Sequence, residues 1–160
     1  MPRFPTLLAL AGPAALAAGM LVAQHAPAPL APEEAHEVRE GHMKAYGAAL
    51  RTLGGMAQGE AAYDAAAAQA AADSLLEHAT TPDWAVMWPE GSAVGEIEGS
   101  RALPAIWENP EDFEDQHQDL VAAATAMQAA AGTDLAGLQA AMGGVGASCG
   151  TCHEAYRAPD

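Results

Sequence analysis

Apolar residues recur at the three-and-four spacing of an α-helix over four stretches of the chain. The stretches cover residues 33–57, 61–79 or 64–79, 104–131 and 133–157, and each is predicted as one helix. Because Asn109-Pro110 interrupts the third stretch, we expect that helix to bend or restart there. Four amphipathic stretches of this length predict an all-α, antiparallel four-helix bundle. The first carries on one face Arg39, Met43, Tyr46, Leu50, Leu53 and Ala57.

The connections between these stretches differ in length. Residues 80–100 contain two prolines and three glycines, which predicts one long irregular loop between the second and third helices. Trp84, Met87 and Trp88 lie in this loop and are expected to pack inward. Before the fourth helix, Thr133 or Asp134 is the expected N-cap.

The N-terminus has the pattern of an export signal. Arg3 precedes an apolar run of residues 7–22 that contains no acidic residue, and we expect cleavage after Ala23. An uncleaved membrane anchor is the alternative, but the run is shorter than the roughly 20 residues needed to cross a bilayer. Residues 24–32 are predicted to be a proline-rich linker and residues 33–160 the bundle domain. This organisation predicts a periplasmic protein.

Composition and charge exclude several classes of function. The 160 residues include 21 Asp and Glu against six Lys and Arg, a formal net charge of −15. A field of this sign repels nucleic acid. The sequence has neither a glycine-rich phosphate loop after a strand nor a serine nucleophile elbow, so it gives no support for nucleotide binding or hydrolysis. We therefore do not expect an enzyme.

The motif that carries chemistry is Cys149-Gly-Thr-Cys152-His153. In an exported chain this spacing is typical of covalent haem c attachment, with two thiols for the vinyl groups and an adjacent imidazole for the iron. Half a zinc site, a dithiol redox pair and a chance match are the alternatives. A zinc site needs two further ligands, for which no second CxxC exists, and a thioredoxin-like pair belongs beside a βαβ unit.

Residues 32–157 resemble the cytochrome c′ family and its low-spin class II relatives. The resemblance rests on Val-Arg-Glu-Gly-His-Met-Lys at residues 38–44, Pro-Ala-Ile-Trp at 104–107 and the ending from Cys149 to Arg157. It implies one haem c bound through Cys149 and Cys152, with His153 as proximal iron ligand. It also implies that Arg39 lies near the haem propionates, and that Arg157, four residues after His153 on the same helical face, lies near the proximal imidazole. For Arg157, a solvated cation that favours the helix dipole is the alternative.

Met43 decides between two functions, because the resemblance places it over the distal face of the haem. Ligation by its thioether would give a low-spin electron carrier, whereas a packing role would leave a five-coordinate protein that binds nitric oxide or carbon monoxide. We favour the electron carrier. His117 is expected to be a core histidine, His42 to face solvent, and His25, His36 and His78 to lie on the surface.

Two predictions concern partners. The acidic surface favours weak docking on the basic face of a redox partner protein. The family resemblance implies a homodimer through the first and second helices, where many alanines permit close approach.

Overall fold

The computed structural model describes residues 28–159. The predicted signal peptide, residues 1–23, and linker residues 24–27 lie outside this range. Of the predicted linker, residues 28–31 precede the first helix, and Leu30 N donates to Val86 O at 3.1 Å. In the described part of the chain, no helix is long and apolar enough to cross a membrane.

The described chain is all-helical and confirms the predicted four-helix bundle. Its helices are α1 (Pro32–Ala57), α2 (Ala65–Ala79), α3 (Ala105–Glu108), α4 (Pro110–Ala131) and α5 (Leu135–Tyr156). Helix α4 packs against α5 and α2, and α1 packs against α2 and α5. The short α3 and the long α4 are separated at Asn109, as expected for a residue that precedes proline and is held out of the helical region (φ −131°, ψ 58°).

The core is built from a few large side chains set among alanines. Leu53, Leu75, Met127, Leu138 and Val145 are fully buried, one or more from each long helix. Alanine at the other buried positions of α2 and α4 lets these helices approach closely, so burial of the few large side chains supplies much of the hydrophobic stabilisation.

Side-chain caps fix where two of the helices begin. Asp64 caps α2 by accepting a hydrogen bond from Ala67 N at 2.8 Å. Asp134 caps α5 by accepting from Gly137 N at 2.7 Å, which selects Asp134 over Thr133 as the N-cap. The start of α5 is therefore determined locally, and with it the register of the motif near its other end.

The loop between α2 and α3 is ordered and folds over one end of the bundle. It begins with a 3-10 turn, Pro82–Ala85, and Met87 is 1% exposed, while Trp84 and Trp88 are half-buried. Gly91, Gly95 and Gly99 adopt positive φ angles of 81° to 83°, which the loop needs for its tight turns. The predicted long connection and its inward-packed side chains are thus confirmed.

The end of α5 differs from the prediction. The helix ends at Tyr156, and Arg157 is extended (φ −119°, ψ 126°), so it does not continue the helical face of His153. Backbone pairing with the loop explains the change, because Leu103 N donates to Tyr156 O at 3.0 Å and Ala158 N donates to Arg101 O at 2.8 Å.

Candidate functional site

A cavity of about 640 Å³ opens between α1, the long loop, α4 and α5. Its volume lies within the range of small-molecule and cofactor sites, about 300–1,000 Å³. All six residues singled out in the sequence line it, although they come from positions more than a hundred residues apart. They are Arg39, Met43, Cys149, Cys152, His153 and Arg157.

The two cysteines lie one turn apart on α5 and are both half-buried free thiols. Burial raises the pKa of Cys149. Burial, followed by the charges of Cys149 and Asp112, raises the pKa of Cys152 to about 11. Both side chains are therefore protonated thiols at neutral pH and form an apolar part of the cavity wall.

His153 follows Cys152 directly and also lines the cavity. Burial, and then the positive charges of Arg157 and Arg101, lower the pKa of this imidazole. A lowered pKa favours the neutral ring, which is the form that binds a metal ion. The ring is thus suited to ligate iron.

Met43 reaches the cavity from a different helix, α1. It is 39% exposed, which is unusual among the large apolar side chains of residues 28–159. Tyr46, Gly47, Leu50 and the α4 residue Leu120 line the same cavity, so Met43 shares a largely apolar wall. Its thioether is the only sulfur among the described lining residues that does not come from α5.

Arg39 is only 5% exposed, and within the described chain its guanidinium contacts the long loop. Its guanidinium donates to Met87 O at 2.8 Å, to Ser92 Oγ at 2.8 Å and to Ser92 O at 3.0 Å. It also lies over the Trp88 ring, 4.9 Å from the ring centroid. Arg39 therefore fastens the long loop to α1 at the cavity wall, a role that no local sequence pattern indicated.

The charges around the cavity oppose the charge of the whole chain. Its described lining contains Arg39, Arg101 and Arg157, half of the six Lys and Arg of the chain, and Glu40 is the one carboxylate in that lining. Arg101 is anchored there by donating to Ala158 O, at 3.0 Å from Nε and 2.6 Å from Nη2. This local excess of positive charge suits a ligand that carries carboxylates, as haem does through its two propionates.

The histidines correct part of the sequence interpretation. His42 does not face solvent: its Nδ1 is 2.9 Å from Nδ1 of His78, and its Nε2 is 3.8 Å from Asp83 Oδ2. His78 and His36 are half-buried, and His36 lines the cavity rim. Packing against the loop and the end of α2 covers these rings. His25 lies outside the described residues.

His117 is buried, as expected for a core histidine. Its Nε2 is 2.9 Å from Ala79 O, and its ring stacks on Trp84 with centroids 3.6 Å apart. Trp84 continues into a cluster with Trp88, Phe113 and Tyr156, whose ring centroids lie 4.8 to 5.2 Å apart. This aromatic cluster forms a rigid apolar side of the cavity next to Cys152.

The donor set fits a covalent haem. Two thiols one turn apart, a neighbouring imidazole with a lowered pKa, an aromatic wall and three arginines meet at one cavity of suitable volume. The described residues thus offer the attachment atoms, an iron ligand and counter-charges for the propionates.

Comparison with known proteins gives consistent matches over the bundle. Residues 34–157 match the family described as Cytochrome C'. The chain is 52% identical over 126 residues to cytochrome c-554 of Cereibacter sphaeroides, covering 78% of this chain and 92% of that protein. The solved cytochrome c' of Rhodobacter sphaeroides superposes with a TM-score of 0.76 at 31% identity, covering 82% of this chain and all of that one. A further solved cytochrome c', described as having ligand-controlled dimer dissociation, gives a TM-score of 0.74 at 31% identity, covering 82% and 100%.

Proposed function

This chain belongs to the cytochrome c′ family of haem c proteins, and on that premise we propose that it is a periplasmic electron carrier with His153 as proximal and Met43 as distal iron ligand. The family consists of electron carriers and gas-binding haem proteins rather than typical enzymes. Bound haem supplies one-electron exchange between ferric and ferrous iron. The chain's own residues attach the group, ligate it and set its surroundings.

Cys149 and Cys152 would form the two thioether bonds, and His153 would bind the iron. The lowered pKa of His153 supports this assignment because a neutral imidazole is available at physiological pH. Arg101 and Arg157 line the same cavity and would balance the propionate charges. For Arg39, the bonds to the loop support a role in shaping the cavity wall, alongside any contact with a propionate.

The position of Met43 is the observation that carries the proposal. Its side chain lines the cofactor cavity from α1 while Cys149, Cys152 and His153 line it from α5, so a thioether and an imidazole are available from two different helices. A Met and His pair is a common axial set in electron-transferring cytochromes and raises the reduction potential. The 52% identity to a cytochrome c-554 supports an electron carrier further.

The optical spectrum of the haem-loaded protein tests this ligation. We expect a low-spin spectrum in both oxidation states, a ferric far-red band from the Met sulfur, and little change on adding carbon monoxide. Met43→Ala should convert the protein to high spin and lower its potential. Met142→Ala is the control, because Met142 packs against the core cluster and is not among the cavity-lining residues.

Gas binding is the second candidate function. The apolar wall of Tyr46, Leu50 and Leu120 around Met43 supports it, as does similarity to proteins named cytochrome c'. In that case the wild-type spectrum would be high-spin and would shift with carbon monoxide. Met43→Ala would then keep the spin state and bind carbon monoxide faster, which separates the two functions.

Export and assembly complete the proposal. The N-terminal sequence pattern supports cleavage after Ala23 and a periplasmic bundle domain, and mass spectrometry of the mature N-terminus tests it. Retention of Met1 in a membrane fraction would favour the anchor.

The related cytochrome c' with ligand-controlled dimer dissociation supports a homodimer, which analytical ultracentrifugation tests. A redox partner with a basic docking face follows from the net charge of −15, and its association rate should fall as salt rises.

A further inference from the structure

A polar contact joins the first turn of α4 to the end of α5 beside the cofactor cavity. The Tyr156 hydroxyl, on the last residue of α5, donates to Asp112 Oδ2 at 2.5 Å. Gln116 Nε2 donates to the same oxygen at 2.9 Å. Tyr156 is only 5% exposed. Two donors therefore fix one carboxylate oxygen, and the shorter bond comes from a buried side chain that cannot follow the carboxylate into solvent.

This carboxylate is connected to the attachment motif through the two residues that donate to it. Tyr156 and Gln116 both line the cavity, and Cys152 packs against the cluster that contains Tyr156. Burial and the bond to Asp112 raise the pKa of Tyr156 to about 12, so the phenol stays a donor over the physiological range.

We propose that Tyr156 is a positioning residue that holds the negative charge of Asp112 beside Cys152, and that the pair thereby lowers the reduction potential of the attached haem. This inference rests on the proposed haem function. Oxidation adds a unit positive charge to the iron, so a nearby fixed negative charge stabilises the oxidised state. Asp112 is itself exposed, so solvent screens part of its charge, and the remaining effect depends on the bond that holds one carboxylate oxygen against buried Tyr156. Tyr156 lines the cavity and Asp112 does not, so the bond from Tyr156 holds the charge directly behind the cavity wall.

Spectroelectrochemical titration of the haem-loaded protein tests the role of the charge. Asp112→Asn removes the charge and keeps the shape, so the potential should rise. Asp112→Glu keeps the charge and should stay near wild type. Asp115→Asn is the matched control, because Asp115 is, like Asp112, an exposed residue of α4 and its replacement changes the net charge equally, whereas the bond from Tyr156 goes to Asp112. Its potential should shift much less than that of Asp112→Asn.

Tyr156→Phe tests the positioning role. The variant leaves Asp112 charged but free to turn outward, so its potential should rise by less than in Asp112→Asn. In the Asp112→Asn background, Tyr156→Phe should add little, because there is no charge left to position. Thermal unfolding is measured in parallel, since a purely structural role for the pair would lower the unfolding temperature without moving the potential.

The outcomes separate this inference from the proposed function. The inference would be overturned if Asp112→Asn and Asp115→Asn shifted the reduction potential equally. It would also be overturned if Tyr156→Phe changed the potential as much in the Asp112→Asn background as in the wild type. If the Asp112→Asn variant cannot be isolated with haem attached, an unchanged reduction potential in Tyr156→Phe is by itself enough to overturn the inference. A wild-type chain that takes up no covalent haem in a cell able to attach it would instead refute the proposed function.

Discussion

Replacing Arg39 by methionine gives the most direct test of how the cavity wall is held. The substitution keeps an unbranched side chain of similar reach but removes the three donor contacts to Met87 O, Ser92 Oγ and Ser92 O. Hydrogen bonds from a charged donor contribute about 1.5–3 kcal/mol each in favourable cases. The methionine side chain cannot satisfy these acceptors, so the loop loses its main fastening to α1.

The expected cost is smaller than the sum of the three bonds. They share one side chain, and burying the guanidinium carries a desolvation penalty, seen in the lowered pKa of Arg39. We expect a loss of about 3 kcal/mol in the free energy of unfolding. For a domain of this size that corresponds to roughly 10 °C in Tm.

Guanidinium chloride unfolding followed by circular dichroism measures this loss, and hydrogen exchange of the loop amides locates it. Arg39→Lys should recover little, because a single ammonium cannot reproduce the planar fork that spans the Met87 and Ser92 acceptors. Arg51→Met is the control, since Arg51 is exposed on the same helix. If Arg39→Met costs no more than this control, about 0.5 kcal/mol or less, the loop-fastening role is refuted.

Three further predictions concern pH dependence, core packing and helix capping. Burial and the charge of His78 lower the pKa of His42, so the unfolded chain binds a proton at this residue more readily than the folded chain. The free energy of unfolding should therefore fall as pH drops below about 6.5. Unfolding midpoints measured from pH 7.5 to 5.5 should fall less steeply in His42→Gln than in the wild type, and equal slopes would contradict this. Leu75→Ala, at a fully buried position, should cost about 2–5 kcal/mol in a denaturant titration, and a similar loss in the half-buried Leu76→Ala would show that burial does not set the cost. Asp134→Ala should cost about 1 kcal/mol through loss of the α5 cap, measured against an unaffected Asp115→Ala.

The sequence by itself determined the helices and the attachment motif. Apolar spacing, alanine content and Asp caps act within a few residues, so they predicted the helical stretches to within a few positions at their starts. The interruption at Asn109-Pro110 is equally local, because proline constrains its own backbone and that of the preceding residue. The spacing of Cys149, Cys152 and His153 lies within a single turn and could be interpreted without knowing the fold.

The tertiary structure decided which partners the polar side chains find. Arg39 meets Ser92, 53 residues away, His42 meets His78 across two helices, and Tyr156 meets Asp112 across 44 residues. Periodicity shows which face of a helix a residue occupies but not which loop or helix end covers that face. These contacts depend on the packing of the whole bundle, because a displacement of about one ångström between donor and acceptor is enough to break a hydrogen bond. For that reason only the folded chain reveals how the cavity wall is fastened and where its charges lie.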